Sequence, residues 1–173
     1  MSAGPSRILP FLYLGSAVDA RSASKLSVLG VSRILNVSDS ARFEDDPRIV
    51  LKHIPVSDFG DTNLAPVFSA CNEFIAAAKS EGATILVHCR HGQNRSPTVV
   101  LAYLMEREGV SLKDAYHLVS AVRPNVAVHE AYFEQLRQLE ISRYGANSLS
   151  QDDVGPSVQE LIRRLRAEAE SQE

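Results

Sequence analysis

The stretch that decides the fold is residues 84–108, TILVHCRHGQNRSPTVVLAYLMERE. Its first four residues form a short continuous apolar run, which is typical of a central strand that is covered on both faces of a sheet. The polar residues that follow include Gly92, and helical periodicity resumes at Ser96 and continues to about Glu108. The sequence therefore predicts a buried strand, a tight polar loop and a helix in direct succession.

The polar loop between this strand and helix carries a Cys-x5-Arg pattern, from Cys89 to Arg95. A strand-loop-helix turn gathers unpaired backbone N–H groups at a helix N-terminus, which makes a cradle for an anion. That positive end favours thiolate over thiol at Cys89, and the guanidinium of Arg95 can bind two phosphate oxygens at once. Ser96 can stabilise the thiolate when it leaves. The pattern predicts a nucleophile beneath a bound phosphoryl group, aligned for in-line attack.

A structural thiol, a Walker-type loop and a zinc site are the alternatives to a nucleophilic cysteine in this loop. Cys89 could be a buried structural thiol, since free cysteines are often core residues, but the surrounding loop favours the nucleophile. No Gly-Lys-Ser/Thr follows, which excludes a Walker-type loop. The cysteines Cys71 and Cys89 are isolated and no ligand spacing fits, which excludes a zinc site. Cys71 lies on the apolar stripe of a predicted helix, so we expect it in the core.

A phosphomonoester also needs a proton donor for its leaving oxygen, and a positioned acid contributes roughly 10²–10⁴ in rate. Residues 57–63, SDFGDTN, form a polar loop before a helix predicted to start at Leu64, and they include Asp58 and Asp61. On the residues alone, ordinary loop or capping chemistry accounts better for each aspartate.

The rest of the chain interleaves strands with helices and then continues with helices only. The patterns predict strands over 8–14, 32–37 and 49–54, and helices over 17–29, from 64, from 111 to before Arg123, and over 128–144. This order predicts an α/β fold with a central mixed, partly parallel sheet flanked by helices. We predict a catalytic domain over 1–145, a linker over 146–156 and a C-terminal amphipathic helix over 157–171. That helix would pack on its own domain, on a second copy or on another partner.

The 173 residues are 45% hydrophobic and 23% charged, as in a soluble globular protein. No apolar run approaches the ~20 residues of a membrane helix, and no signal peptide precedes the first strand. We therefore expect a cytoplasmic protein, with the nucleus as a second location, and no membrane partner. Residues 1–149 hold 15 Lys and Arg against 15 Asp and Glu, so the net charge of −3 lies in the tail. This neutral body argues against a nucleic-acid partner.

The chain resembles a small atypical dual-specificity protein phosphatase of the cysteine-dependent phosphatase superfamily. The resemblance covers roughly residues 6–142 and is carried by the segments ILPFLYLGS, GVSRILNVS, IPVSDFGDTNL, VHCRHGQNRSPTVVLAYLM and RPNVAVHEAYFEQL. It implies the fold of the cysteine phosphatases, with the phosphate loop between a central strand and a helix. It also implies hydrolysis of phosphotyrosine and phosphoserine/phosphothreonine in phosphoprotein substrates through a phosphocysteine intermediate, with neither metal nor cofactor.

The resemblance also implies a role for each residue that matches the family's motifs. Cys89 would be the nucleophile, Arg95 the phosphate clamp and Ser96 the hydroxyl that assists breakdown of the intermediate. Asp58, which lies 31 residues before Cys89, would be the general acid, with Asp61 as the fallback. The remaining implied site residues are His88, which would tune the thiolate, and the phosphate loop that binds substrate, namely Arg90, His91, Gly92, Gln93, Asn94 and Arg95.

Two residues of the phosphate loop depart from the usual family pattern. His91 stands where the family usually has a small or acidic residue, and Asn94 where it has Ser or Gly. Both resemble the RNA 5′-triphosphatase branch of the superfamily, so an RNA 5′-triphosphatase or nucleotide polyphosphate phosphatase is the first alternative. Ser96-Pro97 and the Asp58 loop favour the protein phosphatase. A phosphate-binding pseudophosphatase module is the further alternative.

Overall fold

The computed structural model describes residues 4–40 and 46–149, which form one mixed five-stranded sheet with helices on both faces. The strand order in the sheet is β1-β2-β5-β3-β4. The bounds of the strands are Ser6–Leu9 (β1), Leu12–Ser16 (β2), Val31–Asn36 (β3), Val50–His53 (β4) and Thr84–Cys89 (β5). Only β1 runs antiparallel to its neighbour, and the other neighbouring strands are parallel. The predicted fold class is confirmed.

Six helices cover the sheet within the described residues. Their bounds are Ala17–Ala20 (α1), Ala23–Val28 (α2), Ala65–Ser80 (α3), Arg95–Arg107 (α4), Leu112–Val122 (α5) and Glu130–Tyr144 (α6). Helices α3 to α6 pack on the larger apolar core, and α1 and α2 cover a smaller core on the other face. That smaller core consists of Leu26, Val31, Ile34 and Leu86.

Strand β5 occupies the centre of the sheet, as its continuous apolar run predicts. It pairs with β2 on one side and with β3 on the other, so that Ser16 lies beside Cys89 and Asn36 beside His88. Because the three strands are parallel, their carboxyl ends meet at one edge of the sheet. Helix α4 starts at this edge and is almost wholly buried.

Three element predictions are wrong in detail. Residues 8–14 do not form one strand, because the chain turns at Pro10 and returns as β2; proline has no N–H to give to a strand ladder. The single helix predicted over 17–29 is two short helices separated at Arg21 and Ser22. The last helix begins at Glu130 instead of Val128, since the side chain of His129 accepts a hydrogen bond from the N–H of Ala131 and caps the helix.

The C-terminal part of the domain prediction is not described by the structure. The helix predicted over 157–171 and all but the first four residues of the linker predicted over 146–156 lie outside the described residues. The division into domains and the contact through that helix stay predictions. Across residues 4–40 and 46–149, none of the helices has the length and apolar character needed to span a bilayer.

Candidate active site

Cys89 lies at the carboxyl end of β5 and is 2% exposed. Its Sγ accepts two hydrogen bonds, one from the backbone N–H of Gly92 at 3.3 Å and one from the hydroxyl of Ser96 at 3.2 Å. Two donors that converge on one sulfur favour its anionic form over the thiol. The structure thus brings Cys89 and Ser96 together at the bottom of the loop, as the sequence predicts.

The carbonyl groups of the loop are all turned away from Cys89. The carbonyl of Arg90 accepts from the N–H of Ala17, and that of Gln93 accepts from the N–H of Ala127. The guanidinium of Arg123 donates to the carbonyls of His91 and Gly92, at 3.3 Å and 2.7 Å. When successive carbonyls bond outward, the N–H groups between them are free to face an anion. The loop therefore has the backbone arrangement that a phosphate group needs.

Gly92 is the residue on which this loop conformation depends. Its φ of +69° lies in the left-handed region, and a Cβ there would lie 2.5 Å from Nη2 of Arg123 and 2.6 Å from the carbonyl oxygen of Gly15. No side chain fits between a bound guanidinium and a backbone oxygen at these distances. Arg123, which is 3% exposed, therefore supports the loop from behind. Sequence reasoning assigned it no role, although the RPN segment that contains it was one of the matching motifs.

Arg95 is the first residue of α4 and is 1% exposed. Its Nη1 donates to Oδ1 of Asp39 at 2.9 Å and to the carbonyl of Val56 at 3.2 Å. Its buried Nε makes no hydrogen bond within the described residues, although Oδ1 of Asp58 lies 3.2 Å away. One edge of the guanidinium is thus fixed by hydrogen bonds. The buried Nε on the other edge has only the ion pair with Asp58, so it can still donate a hydrogen bond to a bound oxygen.

Asp39 was missed by the sequence analysis, because it lies in a polar segment after β3 that looks like ordinary loop. Its carboxylate reaches the buried guanidinium of Arg95 while its own side chain stays 75% exposed. The hydrogen bond from Arg95 holds the pKa of Asp39 below its ordinary value. A charged residue in the segment that follows a strand next to β5 is the signal that could have identified it.

The structure separates the two candidate acids. Asp58 lies over the loop, where its Oδ1 accepts a hydrogen bond from Nδ2 of Asn94 at 3.0 Å. Asp61 is exposed, and the structure gives it no hydrogen bond or ion pair among the described residues. Asp58 is therefore the aspartate that the fold brings to the phosphate loop.

The segment that carries Asp58, residues 57–63, is held by α6. The buried hydroxyl of Tyr132 donates to the carbonyl of Ser57. Gln135 donates from Nε2 to the carbonyl of Thr62 at 3.0 Å and accepts at Oε1 from the N–H of Leu64 at 2.8 Å. Long-range side-chain bonds at both ends therefore set the position of residues 57–63, which we call the acid loop.

His88 is 3% exposed and lies directly before the nucleophile. Burial lowers its pKa to about 4, so the imidazole is neutral at physiological pH. Nδ1 lies 3.2 Å from the carbonyl oxygen of Cys89, which fits a ring that is protonated at Nδ1. The ring supplies no positive charge to the thiolate, and any influence on Cys89 passes through the backbone.

Cys71 behaves as the sequence predicts. It is fully buried on α3, and burial raises the pKa of its thiol to about 12. This thiol stays protonated and packs in the core.

A thiol under inward-facing amides, next to a buried arginine at the end of a central parallel strand, defines a cysteine-based phosphate site. The family model described as dual specificity phosphatase, catalytic domain, matches residues 12–142. The chain belongs to the dual specificity phosphatase family, as its motifs predict.

Three relatives illustrate the similarity. Human dual specificity protein phosphatase 9 is 41% identical over 140 residues, which are 80% of this chain and 36% of the human protein. Arabidopsis thaliana dual specificity protein phosphatase 1 is 40% identical over 138 residues, which are 80% of this chain and 70% of the plant protein. The crystal structure of human DUSP28 has a TM-score of 0.77 and 30% identity, and the match covers 82% of this chain and 96% of that one. The chain thus spans well under half the length of the human phosphatase 9.

Proposed function

We propose that this protein hydrolyses phosphotyrosine and phosphoserine/phosphothreonine in phosphoproteins through a phosphocysteine intermediate. The observation that carries the proposal is the arrangement around Cys89. Its Sγ receives hydrogen bonds from Gly92 and Ser96, and the loop carbonyls face outward. The buried Nε of Arg95 makes no hydrogen bond within the described residues and forms an ion pair with Asp58. Membership of the dual specificity phosphatase family supports the same chemistry.

The first step transfers the phosphoryl group to sulfur. The thiolate of Cys89 attacks phosphorus, and the bond between phosphorus and the ester oxygen breaks on the opposite side. Arg95 and the loop N–H groups bind the remaining oxygens, and a phosphate oxygen satisfies the buried Nε. Asp58 donates its proton to the leaving oxygen, which departs as the tyrosine, serine or threonine hydroxyl.

The second step restores the enzyme. Asp58, now a carboxylate, accepts a proton from a water molecule that attacks phosphorus. The bond between phosphorus and sulfur breaks, and inorganic phosphate is released. The hydroxyl of Ser96, 3.2 Å from Sγ, donates a hydrogen bond to the sulfur as the thiolate re-forms. In the first step sulfur gives up its negative charge as the bond to phosphorus forms. In the second step the charge returns to sulfur, where Gly92 and Ser96 donate their hydrogen bonds.

The site is open at the surface, which supports action on short as well as long phosphorylated side chains. The side chain of Asp58 is 44% exposed, and Arg90, His91 and Gln93 of the loop are exposed around it. A shallow site admits the short phosphoserine and phosphothreonine side chains together with phosphotyrosine. We therefore propose dual specificity and assign substrate binding to the loop from Arg90 to Arg95.

The RNA and polyphosphate alternative is less well supported. His91 and Asn94 suggested it, but the named relatives are dual specificity protein phosphatases. Asn94 also has a role that does not involve RNA, since its side-chain amide donates a hydrogen bond to the proposed proton donor, Asp58. The pseudophosphatase alternative is less well supported because Cys89, Arg95, Ser96 and Asp58 are all present and two hydrogen bonds converge on Sγ of Cys89.

We propose the cytoplasm, with the nucleus as a second location, as the setting of the reaction. A thiolate nucleophile must stay reduced, and both Cys71 and Cys89 are free in the structure. Fluorescence microscopy of the tagged chain tests this. Accumulation in an oxidising compartment would contradict it.

The deciding experiment measures phosphate release from a doubly phosphorylated Thr-x-Tyr peptide and from a 5′-triphosphate RNA, side by side in a metal-free buffer. We expect hydrolysis of both phosphoresidues of the peptide and a loss of at least about 10³-fold in Cys89→Ser. Cys71→Ala is the matched control and should keep the activity. Preferential release of phosphate from the RNA would contradict phosphoproteins as the substrate class and favour the RNA 5′-triphosphatase. Tight peptide binding without turnover by the wild-type protein would favour the pseudophosphatase.

A further inference from the structure

Asn94 occupies the N-cap position of α4 but does not use its side chain as a cap. An asparagine at this position usually accepts a hydrogen bond from the second or third N–H of the helix. Here the side chain makes no such bond. Only the backbone carbonyl serves the helix, by accepting from the N–H of Thr98 at 3.0 Å and from its hydroxyl at 2.8 Å. The carboxamide is therefore available for another contact.

The carboxamide of Asn94 joins three separate parts of the molecule. Its Nδ2 donates to Oδ1 of Asp58 at 3.0 Å, and its Oδ1 accepts from the backbone N–H of His129 at 2.8 Å. The donor and the acceptor of the amide are both used. If the amide were flipped, its NH₂ group would face the N–H of His129 and its oxygen would face the carboxylate of Asp58. Asn94 is thus locked between the phosphate loop, the acid loop and the start of α6.

The contacts of Asp58 show why the hydrogen bond from Asn94 is important for a proton donor. Its Oδ1 lies 3.0 Å from Nδ2 of Asn94 and 3.2 Å from Nε of Arg95, but only the contact with Asn94 is a hydrogen bond. In the proposed reaction the phosphoryl group takes over Nε of Arg95. Asn94 then remains as the side chain that holds Asp58 over the loop. Because Oδ1 is engaged, Oδ2 is the oxygen that carries the proton.

We propose that Asn94 is a positioning residue that holds the general acid Asp58 over the phosphate loop and directs Oδ2 to the leaving oxygen. This rests on the proposed function. The serine or glycine that usually stands at this position in the family is too short to reach both Asp58 and the N–H of His129. On this proposal Asn94 marks a difference in how the acid is held, which accounts for the residue without an RNA substrate.

The test compares substrates that need a proton donor with substrates that do not. Asn94→Ala should lower kcat on the phosphotyrosyl peptide by about 10- to 50-fold, a part of what a general acid contributes. On p-nitrophenyl phosphate, whose leaving group departs readily as an anion, the same variant should lose less than about 3-fold. Asn94→Ser should behave like Asn94→Ala. Tungstate inhibition needs no proton, and the loop binds this anion through backbone N–H groups and Arg95, whereas the side chain of Asn94 is bonded to Asp58 and His129. The inhibition constant should therefore keep its wild-type value in both variants.

A double-mutant cycle separates positioning from general damage to the site. In the Asp58→Asn background, Asn94→Ala should add less than about 2-fold, because the group it positions is absent. Asn94→Asp keeps an acceptor for the N–H of His129 but sets a carboxylate against Asp58, so it should lose at least as much as Asn94→Ala. Asn147→Ala removes an exposed asparagine outside the site and should change neither substrate's rate.

Equal losses on the two substrates, or a weakened tungstate constant, would overturn the proposal in favour of a structural role in the loop. Additive losses in the double mutant would overturn it as well. These outcomes differ from a failure of the proposed function, in which the wild-type protein itself releases no phosphate from the peptide. They differ also from the outcome expected if Asp58 is not the general acid, in which case Asp58→Asn keeps the wild-type rate.

Discussion

The phosphate loop and the acid loop meet over one sulfur atom, but they are built in different ways. Cys89 and Arg95 of the phosphate loop are 2% and 1% exposed, and the loop carbonyls are bound to the scaffold. In the acid loop the side chain of Asp58 is 44% exposed and Phe59 is 84% exposed. The first loop is held through its backbone carbonyls, which bind backbone N–H groups and the buried guanidinium of Arg123. The second is held by a few side-chain bonds from Asn94 and α6. Tight binding of an anion needs the first kind of support, whereas a proton donor must also admit substrate and water.

The largest loss of activity that we expect follows from removal of the carboxylic acid in the acid loop. Asp58→Asn should lower kcat on a phosphotyrosyl peptide by roughly 10²–10⁴-fold, since a carboxamide is too weak an acid to protonate the leaving oxygen. Asp61→Asn, in the same loop but without a contact to Asn94 or Arg95, is the matched control and should lose little. Steady-state kinetics on one peptide decides between them. If the losses are reversed, Asp61 is the acid and the contact between Asn94 and Asp58 has no catalytic meaning.

The second prediction concerns the strand beneath the phosphate loop. Burial lowers the pKa of His88 from 6.5 to about 4. Between these values the unfolded chain binds a proton that the folded chain excludes, so the free energy of unfolding falls as the pH drops from about 6.5 towards 4. Fully developed, the loss is about 3 kcal/mol.

Urea unfolding of wild type and His88→Asn at several pH values measures this effect. The variant lacks the titrating ring, so its stability should depend less on pH between about 4 and 6.5. The two proteins should show parallel stability above that range, which provides an internal reference. An unchanged acid dependence in His88→Asn would mean that other groups cause the acid destabilisation.

A third prediction addresses the backbone of the phosphate loop. Gly92→Ala places a Cβ 2.6 Å from the carbonyl oxygen of Gly15 at a φ of +69°. Gly109→Ala is a matched control, because Gly109 has a φ of +71° but open space around its Cβ position. Both variants bear the cost of the left-handed conformation, about 1–2 kcal/mol. Gly92→Ala should lose roughly 2 kcal/mol more, together with most of its tungstate affinity. Equal stability of the two variants would show that the loop relaxes freely.

The sequence predicted the phosphate loop better than the acid loop, for a physical reason. The strand, the loop and α4 are consecutive in the chain, so periodicity and one Cys-x5-Arg pattern were enough to locate Cys89, Arg95 and Ser96. Asp58 and Asp61 could not be separated by local pattern, because contacts with Asn94, Tyr132 and Gln135 decide between them.

The supporting residues could not be predicted for a related reason. Asp39 reaches the site from the segment after β3, which the parallel pairing of β3 with β5 places beside the phosphate loop. Arg123 reaches it from the end of α5, which packs on α4 and β1. The turn at Pro10 was missed because apolar residues continue on both of its sides, and an apolar run does not reveal where a strand reverses. Long-range packing thus decided what the local pattern left open.

The smallest effect is expected at the anchor of the acid loop, and it tests whether that loop depends on α6. Tyr132→Phe removes the hydroxyl that donates to the carbonyl of Ser57, and a buried hydrogen bond of this kind contributes about 1 kcal/mol to stability. Tyr103→Phe is the matched control, since its equally buried hydroxyl donates to Glu108 at 3.1 Å, away from the site. Both variants should lower Tm by about 2–4 °C. Only Tyr132→Phe should also lower kcat on the phosphotyrosyl peptide, by several-fold, while the tungstate constant stays unchanged, because the phosphate loop does not depend on this bond. If the two variants lose stability equally and neither loses activity, α6 supports the fold without positioning Asp58, and the bond from Asn94 alone holds the acid in place.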